Sequence, residues 1–351
     1  MTGPSDTLPA PPAGWPLATS PYHAGEMEIQ RRVGWRDRAE KTGRRVIRDF
    51  MTDQHRQFFA MLPYVFIGSL DAKRRPWASV LTAAPGFVSS SDPRRLEVRA
   101  RPLPTDPAWS NLHVGCPIGL VGIEMHTRRR NRLTGHVTDI TGEGFVIWVN
   151  QSFGNCPQYI QSRVPTHAEP TQTSGKAIAM GTHLSPEATR IVTHADTLFI
   201  ASASPQAGSD DPVEGVDCNH RGGKPGFVRL EETTQGTVLT IPDFSGNYAF
   251  NTFGNILLNP VVGLLFVDFV SGDLVSLTGG AEIIWEGAEL TSFTGAERLL
   301  RVCVSEAHHM RSALSLTWSR PEPAQQLVGT GAWPEPSNPM SSTQQLSGTG
   351  R

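Results

Sequence analysis

The sequence has little that would mark a membrane, secreted or nucleic-acid-binding protein. It contains no apolar run of about 18 residues, the length needed to span a bilayer. The N-terminal segment lacks the basic and apolar regions of a signal peptide. With 31 basic and 33 acidic residues, the net charge of −2 gives no reason to expect nucleic acid or an anionic membrane as a partner.

Cysteine and nucleotide-binding motifs are sparse as well. The four cysteines in 351 residues lie far apart and form no CxxC pair, which favours a reduced, cytoplasmic protein over a disulfide scaffold. Neither a GxGxxG after a strand nor a GxxxxGK[ST] occurs, so a Rossmann unit and a P-loop lack support. Apolar residues make up 38% of the chain, many of them in short runs broken by Gly and Pro. Such runs predict antiparallel strands in a barrel or a sandwich.

Four short segments of the first half recur in the second half in the same order, which indicates an internal duplication. The matching pairs are 65–72 with 198–205, 85–88 with 225–228, 117–124 with 261–268, and 131–140 with 275–284. The offset between the copies is 133 residues for the first pair, 140 for the second and 144 for the last two. Loop insertions in the second copy would produce a drift of this kind.

The repeat divides the folded part of the chain into a first half over 21–170 and a second half over 171–320. Each half has a helical segment before its first strand: 53–62, with Asp53 as the N-cap and Pro63 as its end, and 185–195. Residues 1–20 and 321–351 are rich in Pro, Ser and Thr without periodicity, which predicts poorly ordered tails.

The longer motifs of the two halves resemble one family. The second half contains DCNHRGGKPGFVRL, then LTIPDFSGNYAF with Asn259-Pro260 after it, and the first half contains TRRRNR and FGNCPQYIQ. In this order they resemble the pyridoxamine 5′-phosphate oxidase-like family of FMN-binding split barrels, in a longer branch, over roughly residues 20–320. The resemblance implies a mainly β fold with flanking helices, of the α+β class, in which two tandem split β-barrels form an intrachain pseudo-dimer.

The resemblance also implies an FMN site at the interface of the two barrels, with the phosphate held by the second half. Candidate cofactor-binding residues in this half are His220, Arg221, Gly223, Lys224, Ser245, Asn247, Asn251 and Thr252. Arg221 and Lys224 provide cations for a phosphate, and the corresponding first-half segment has none, so we expect one FMN per chain. The alternatives are a solvated turn at 221–224 and ordinary helix capping by Ser and Asn.

Further candidates lie in the first half. Trp77 and Ser79, on a predicted strand, are candidate cofactor contacts, although a Trp there more commonly fills the core. Arg129 and Arg130, in the predicted hairpin turn 126–132, are candidates for the substrate or flavin face. Gln158 and Tyr159 join them from the turn 153–163.

Neither a catalytic residue nor a metal site emerges from the sequence. Cys156 has no nearby His or Asp pattern that would support a reactive thiolate, and it is interpreted as a small packing residue. Cys218 and His220 are too few for structural zinc. His308 and His309 fall in a helix-like stretch without an identifiable partner.

The resemblance therefore predicts an FMN-dependent oxidoreductase acting on a small organic substrate. Its electrons would come from that substrate, from NAD(P)H or from a separate reductase. The alternatives are a flavin carrier or sensor without turnover and a haem-binding split barrel, for which His23 and His113 are weak candidates. We expect no nucleic-acid or membrane partner, and either a monomer that is internally a pseudo-dimer or a homodimer.

Overall fold

The protein is described from a computed structural model, which defines residues 13–167 and 177–334. It is mainly β, with a few short helices. The helices are α1 (Ala24–Arg32), α2 (Arg36–Val46), α3 (Asp53–Met61), α4 (Ala108–Asn111), α5 (Pro186–His194), α6 (Asn251–Leu258) and α7 (Ala288–Thr291). Short 3₁₀ turns span Met125–Thr127 and Gln325–Gly329. None of the described helices combines the length and apolarity that crossing a membrane requires.

The strands fall into two groups that follow one another along the chain. The first-half strands are β1 (Tyr64–Leu70), β2 (Pro76–Thr82), β3 (Val88–Asp92), β4 (Arg95–Val98), β5 (Pro117–Glu124), β6 (Arg129–Ile140) and β7 (Phe145–Gly154). The second-half strands are β10 (Thr197–Ala203), β11 (Val216–Gly222), β12 (Arg229–Thr233), β13 (Gly236–Asp243), β14 (Val261–Val267), β15 (Leu274–Ile284) and β16 (Arg298–Met310). The remaining short strands are β8 (Pro165–His167), β9 (Ala177–Ala179) and β17 (Leu316–Trp318).

The two large sheets have the same strand order. The first runs β2-β1-β5-β6-β7-β4-β3 and the second β11-β10-β14-β15-β16-β13-β12, with β9 added beside β16 and every pairing antiparallel. Phe66 and Phe199 occupy equivalent places, opposite Val121 and Leu265. Within the described residues, neither sheet closes into a barrel.

The drift in the repeat offset has a structural cause. The loop from β1 to β2 has five residues, 71–75, whereas the loop from β10 to β11 has twelve, 204–215. The difference of seven equals the rise in the offset from 133 to 140 between the first and second matching pairs. The second half therefore carries its insertion in the first hairpin.

The three largest core clusters are one within the first half, one in the second half that also includes Ile29 of α1, and one that takes side chains from both halves. At the centre of the shared cluster, the rings of Phe66 and Phe199 stack with centroids 3.3 Å apart and planes inclined by 11°. Around them, backbones of the two halves come close: Gly119 of β5 lies against Val216–Cys218 of β11, and Gly263 of β14 lies against Pro76 and Trp77 of β2. The equivalent glycines thus make equivalent approaches, which bury the junction between the halves.

The predicted helices are present, with local corrections. α3 begins one residue earlier than a helix capped by Asp53 would, because Thr52 is the N-cap and accepts from the His55 N–H; Asp53 is the first helical residue. α5 has Ser185 as its N-cap and Pro186 in its first turn, as the sequence favours. His308 and His309 lie in strand β16, so the helical interpretation of that stretch was wrong.

The predicted tails extend too far into the chain. Trp15 is only 8% exposed and packs with Tyr22 in a small cluster. At the other end, Ala324 and Leu327 are buried against Phe244 and Phe293. The prediction relied on the Pro, Ser and Thr content of these segments and therefore missed the few apolar residues that anchor them. The remaining tail residues, 1–12 and 335–351, lie outside the described residues.

Candidate functional site

A polar cleft opens at the junction of the two halves, and we call it the main cleft. The first half contributes Arg130 of β6 and residues 155–159; the second half contributes β11, the end of β13, the loop 244–250 and the starts of α6 and β16. The space between its walls is about 760 Å³, counting the open mouth. Because both halves line it, the cleft exists only when they are packed together.

Nine of the predicted site residues line the main cleft. They are Arg130, Gln158, Tyr159, His220, Arg221, Ser245, Asn247, Asn251 and Thr252. The sequence placed them in four separate segments, and the packing of β11 against both β6 and α6 brings these segments to one cleft.

The loop that precedes α6 shapes one wall. Tyr248 and Phe250 have positive φ angles of 55° and 63°, a left-handed conformation that is uncommon for such bulky residues. Hydrogen bonds to the neighbouring walls hold the loop: the Tyr159 hydroxyl donates to the Ser245 carbonyl at 2.8 Å, and the Tyr248 hydroxyl lies 3.2 Å from Glu297. The wall is therefore aromatic and fixed by its phenolic groups.

Two of the cleft arginines are neutralised by carboxylates. Arg221 forms an ion pair with Asp243, which also pairs with Arg298 at 2.8 Å, and Arg298 contacts Glu297 at 2.5 Å. The Arg221 guanidinium also lies 4.7 Å from the centre of the Phe253 ring. This network positions Arg221 firmly, but Asp243 offsets much of its charge.

Arg130 differs because no carboxylate lies within ion-pair distance of it among the described residues. It is 8% exposed, and it donates to the backbone carbonyls of Cys156 at 2.8 Å and His220 at 3.3 Å, while its Nε has no hydrogen-bond partner there. Burial lowers the pKa of Arg130 to about 10, so it stays charged at neutral pH. The main cleft therefore contains a buried cation whose charge lacks an acidic partner.

His220 adds a neutral donor or acceptor next to Arg130. Burial, reinforced by Arg130, Arg221 and Arg163, holds the pKa of His220 well below its usual range. Its Nε2 is buried without a hydrogen-bond partner among the described residues. Arg130 Nε and His220 Nε2 thus remain unsatisfied, as do the Nε atoms of Arg221 and Arg298 in the same cleft. Such an arrangement is costly unless a ligand completes it.

The other predicted polar residues already use their side chains within the protein. Asn251 donates to Glu26 and accepts from Arg132 at 3.2 Å, and the Thr252 hydroxyl donates to Asp217 at 3.2 Å. The carboxamide of Asn247 accepts from the backbone of Ala249 at 3.2 Å. Only the Asn247 contact is a local cap of the loop. Asn251 and Thr252 join α6 to distant elements, and no side chain caps this helix, so the predicted helix capping by Ser and Asn is not observed at α6.

Lys224 and Gly223 lie outside the main cleft, contrary to the sequence-based prediction. β11 ends at Gly222, and the turn that follows leads away from the cleft. The Lys224 ammonium donates to the Thr330 carbonyl, and Gly223 packs tightly against Phe227. The predicted pair of phosphate-binding cations is therefore reduced to Arg221.

Trp77, Ser79 and Arg129 also lie outside the main cleft. Trp77 is 1% exposed, and its indole N–H donates to Asp71 at 3.2 Å, so it fills the core. Ser79 is fully buried and donates to Asp106 at 2.6 Å. Arg129 points away from Arg130 because neighbours on a strand alternate, and it pairs with Glu124 at 3.1 Å.

The contact between Ser79 and Asp106 gives a pH-dependent prediction. Burial raises the pKa of Asp106 to about 6, against hydrogen bonds from Ser79 and the Ala108 N–H that lower it. The folded protein then keeps a proton on Asp106 that the unfolded chain loses near pH 4, so the free energy of unfolding falls as pH rises from about 4 to 6.

Asp106→Asn should remove this fall. Between pH 4 and 7 the wild type should lose about 2–3 kcal/mol more stability than the variant, as measured by denaturant unfolding at both pH values. The asparagine retains an oxygen that accepts from Ser79 and Ala108, so the comparison isolates the titration. Parallel pH profiles for the two proteins would contradict a raised pKa.

The site that would be equivalent to the main cleft, with the roles of the two halves exchanged, lacks both arginines. By strand register, Leu81 stands where Arg221 does and Leu274 where Arg130 does. Both leucines are buried in the core. The main cleft is therefore not repeated with the same chemistry.

Several residues of the main cleft were absent from the sequence-based set. They are Asn155, Cys156, Asn219, Gly222, Pro242, Asp243, Phe244, Gly246, Tyr248, Phe250, Phe253, Glu297 and Arg298. Asp243 ends a predicted strand beside the candidate Ser245, which is a usable signal. Arg298 has no such local signal, because it reaches the cleft only through the pairing of β13 with β16. Among the described residues, no group of three His, Cys, Asp or Glu is arranged to hold a metal ion.

Comparisons with known proteins identify remote structural neighbours. Neither a protein-family model nor a curated protein matches the chain. Among solved structures, HupZ of Group A Streptococcus matches at 15% identity, over 38% of this chain and 98% of that chain, with a TM-score of 0.28. A pyridoxamine 5′-phosphate oxidase-related, FMN-binding protein from Nostoc punctiforme matches at 12% identity, over 41% and 98% of the two chains, with a TM-score of 0.26.

A third neighbour carries a different ligand in its name. HutZ, a haem storage protein from Vibrio cholerae, matches at 12% identity, over 36% of this chain and 95% of that chain, with a TM-score of 0.24. At such TM-scores the likeness carries no argument about ligand or reaction. The chemistry of the main cleft has to decide between these possibilities.

Proposed function

We propose that the main cleft binds FMN with its phosphate towards Arg130, and that the protein is an FMN-dependent oxidoreductase acting on a small organic substrate. One observation carries the proposal: Arg130 is a buried arginine without a carboxylate partner among the described residues, in a cleft lined by both halves. A phosphate supplies the missing negative charge, and arginine binds it through charge-assisted hydrogen bonds.

The residues of the main cleft divide into binding and shaping roles. Arg130 would bind the phosphate, and Arg221, held by Asp243 and Phe253, would add a second donor at the same wall. His220, neutral at physiological pH, would donate or accept one hydrogen bond through Nε2. Tyr159, Phe244 and Tyr248 offer aromatic surface for a flat ring system.

Bound FMN would supply the hydride and electron transfer, and the protein would supply orientation and exclusion of water. The source of electrons is the organic substrate, NAD(P)H or a separate reductase. Cytoplasmic location belongs to the same proposal. We also propose that the halves arose by duplication of one split-barrel unit and pack as a pseudo-dimer. The shared strand order supports this.

The haem alternative has less support in the positions of its candidate histidines. His23 caps α1, where its Nδ1 accepts from the Gly25 N–H at 3.1 Å. His113 lies 3.0 Å from the carbonyl of Asn111. Neither lines the main cleft.

The test is the identity and number of bound cofactors. Apoprotein titrated with FMN should bind one molecule per chain, because Leu81 and Leu274 replace the two arginines at the equivalent position. Flavin fluorescence quenching and mass spectrometry of the native complex measure the stoichiometry. Two FMN molecules per chain would contradict the single site, and a Soret band in place of flavin absorbance would contradict FMN itself. Reduction of the bound flavin by NADPH or by a panel of amines, followed by its reoxidation by quinones, separates an enzyme from a carrier.

A further inference from the structure

A second cleft, separate from the main one, is also lined by residues of both halves. It is bounded by the N-terminal segment 15–17, by β6 and β7 around Gly135 and Trp148, and by the loop 204–215. About 1140 Å³ of space lies between its walls, counting the open mouth. The two clefts share no lining residue.

The second cleft is built by the insertion that distinguishes the two halves. Five of its lining residues, Gly208, Ser209, Asp210, Pro212 and Glu214, come from the twelve-residue loop between β10 and β11. The five-residue loop at the equivalent place in the first half has no room for such a wall. The cleft is therefore a property of one half and not of the repeated architecture.

The walls are held in place by hydrogen bonds, so the cleft is preformed. Arg74 of the shorter loop donates to the Ala207 carbonyl at 2.8 Å, which ties the two equivalent loops together. Ser204 and Gly215 bond across the base of the longer loop. On the opposite wall, the Trp15 N–H donates to the Arg44 carbonyl at 2.8 Å. A preformed cavity binds without the cost of ordering its walls.

The charges around the second cleft favour a cation. Asp49 and Arg94 neutralise each other in an ion pair, and His136 is the other basic residue of the lining. Asp210 and Glu214 have no ion pair among the described residues, and the Glu214 Oε2 is buried there without a hydrogen-bond partner. A buried carboxylate oxygen without a partner is unfavourable, and a cation in the cleft would offset its charge.

Aromatic surface completes the site. Trp148 lines the cleft, half-buried, and Trp15 lies on the facing wall with its indole N–H donating to Thr19 at 3.0 Å. Ammonium groups are attracted to the face of an indole ring, and apolar bodies pack against it. Two tryptophans, together with two carboxylates that have no ion pair among the described residues, offer the ring faces and the hydrogen-bond acceptors that an ammonium ion requires.

We propose that the second cleft binds an organic ammonium ion with an aromatic or apolar body. Glu214 and Asp210 supply the charge, and Trp148 supplies the ring face. The binding needs no covalent step and is independent of the cofactor proposed for the main cleft.

The test uses three ligands of similar size and different charge with the full-length protein. 2-Phenylethylammonium should bind saturably in isothermal titration calorimetry, at least about tenfold more tightly than neutral 2-phenylethanol and more tightly still than anionic 3-phenylpropanoate. Glu214→Gln should weaken the ammonium ion about three- to tenfold, and Trp148→Leu should do the same. Glu143→Gln, which removes an exposed carboxylate from the turn between β6 and β7, is the matched control and should bind normally.

Three results would overturn the proposal. They are the absence of saturable binding, equal affinity for the alcohol, and an unchanged ammonium affinity in folded Glu214→Gln. Thermal unfolding of each variant establishes that it is folded. FMN binding by Glu214→Gln should equal that of the wild type, so this outcome does not depend on the main cleft.

Discussion

Arg130→Met should lower the affinity for FMN about ten- to hundredfold and leave riboflavin affinity within about threefold. A hydrogen bond to a charged group is worth about 1.5–3 kcal/mol, which corresponds to this loss, and riboflavin lacks the phosphate that Arg130 would bind. Methionine fills the space of the buried arginine stem without its charge. Titration of apoprotein with each flavin, followed by fluorescence, measures both affinities.

Two neighbouring cations serve as controls for this variant. Arg129→Met removes a charge one residue away on the opposite side of β6, and Lys224→Met removes the cation that the sequence favoured but the structure places outside the cleft. Both should bind FMN within about threefold of the wild type. The loss of FMN affinity in Arg221→Ala should lie between that of Arg130→Met and that of the two controls, because Asp243 already offsets the charge of Arg221. Equal losses of FMN and riboflavin in Arg130→Met would show that Arg130 supports the fold or the ring instead of the phosphate.

Gly119→Val should destabilise the protein by more than about 3 kcal/mol. A Cβ at Gly119 would lie 2.5 Å from the Val216 carbonyl oxygen and 2.8 Å from the Cys218 nitrogen, both of them backbone atoms of the other half. Backbone cannot rotate away as a flexible side chain does, so β5 and β11 would have to separate. Denaturant unfolding measures the loss of stability.

Gly280→Val is the matched control, because Gly280 also lies in a strand but a Cβ there meets nothing within 4 Å. That variant should stay within about 1 kcal/mol of the wild type, since valine suits a strand. Gly263→Val, at the position equivalent to Gly119, should repeat the large loss through contact with Pro76 and Trp77. A mild effect of Gly119→Val would contradict a tight junction between the halves.

The sequence predicted the features that depend on short segments of chain. Alternation of apolar runs and turns indicated a mainly β, antiparallel fold, and the structure confirms this class. The recurring short apolar segments correctly identified Phe66 and Phe199 as equivalent residues, because equivalent strands bury equivalent faces. Helices α3 and α5 were predicted within one or two residues at each end, although Thr52 and not Asp53 caps α3.

Features set by distant pairings were harder to predict. Arg221 and Lys224 look like one basic motif in sequence, but β11 ends between them and the turn carries Lys224 to Thr330. The neutralisation of Arg221 depends on Asp243, which β13 brings from more than twenty residues away. Arg130 is one of several arginines in TRRRNR. It differs from Arg129 only because successive side chains of β6 point to opposite faces and the Arg130 face packs against the second half. The family resemblance therefore pointed to segments that line the main cleft, but neither it nor the local pattern assigned their charges.

The main cleft takes Arg130 from one half of a single chain and His220 from the other. A cleft shared between separate subunits comes apart when the protein is diluted below the dissociation constant of the dimer, and its ligand affinity then falls with protein concentration. When the halves are joined covalently, the protein concentration no longer matters, and each half meets the other at an effective concentration on the order of millimolar for short connections. The assembly of the main cleft in this protein therefore does not depend on protein concentration, as it would if the two halves were separate subunits.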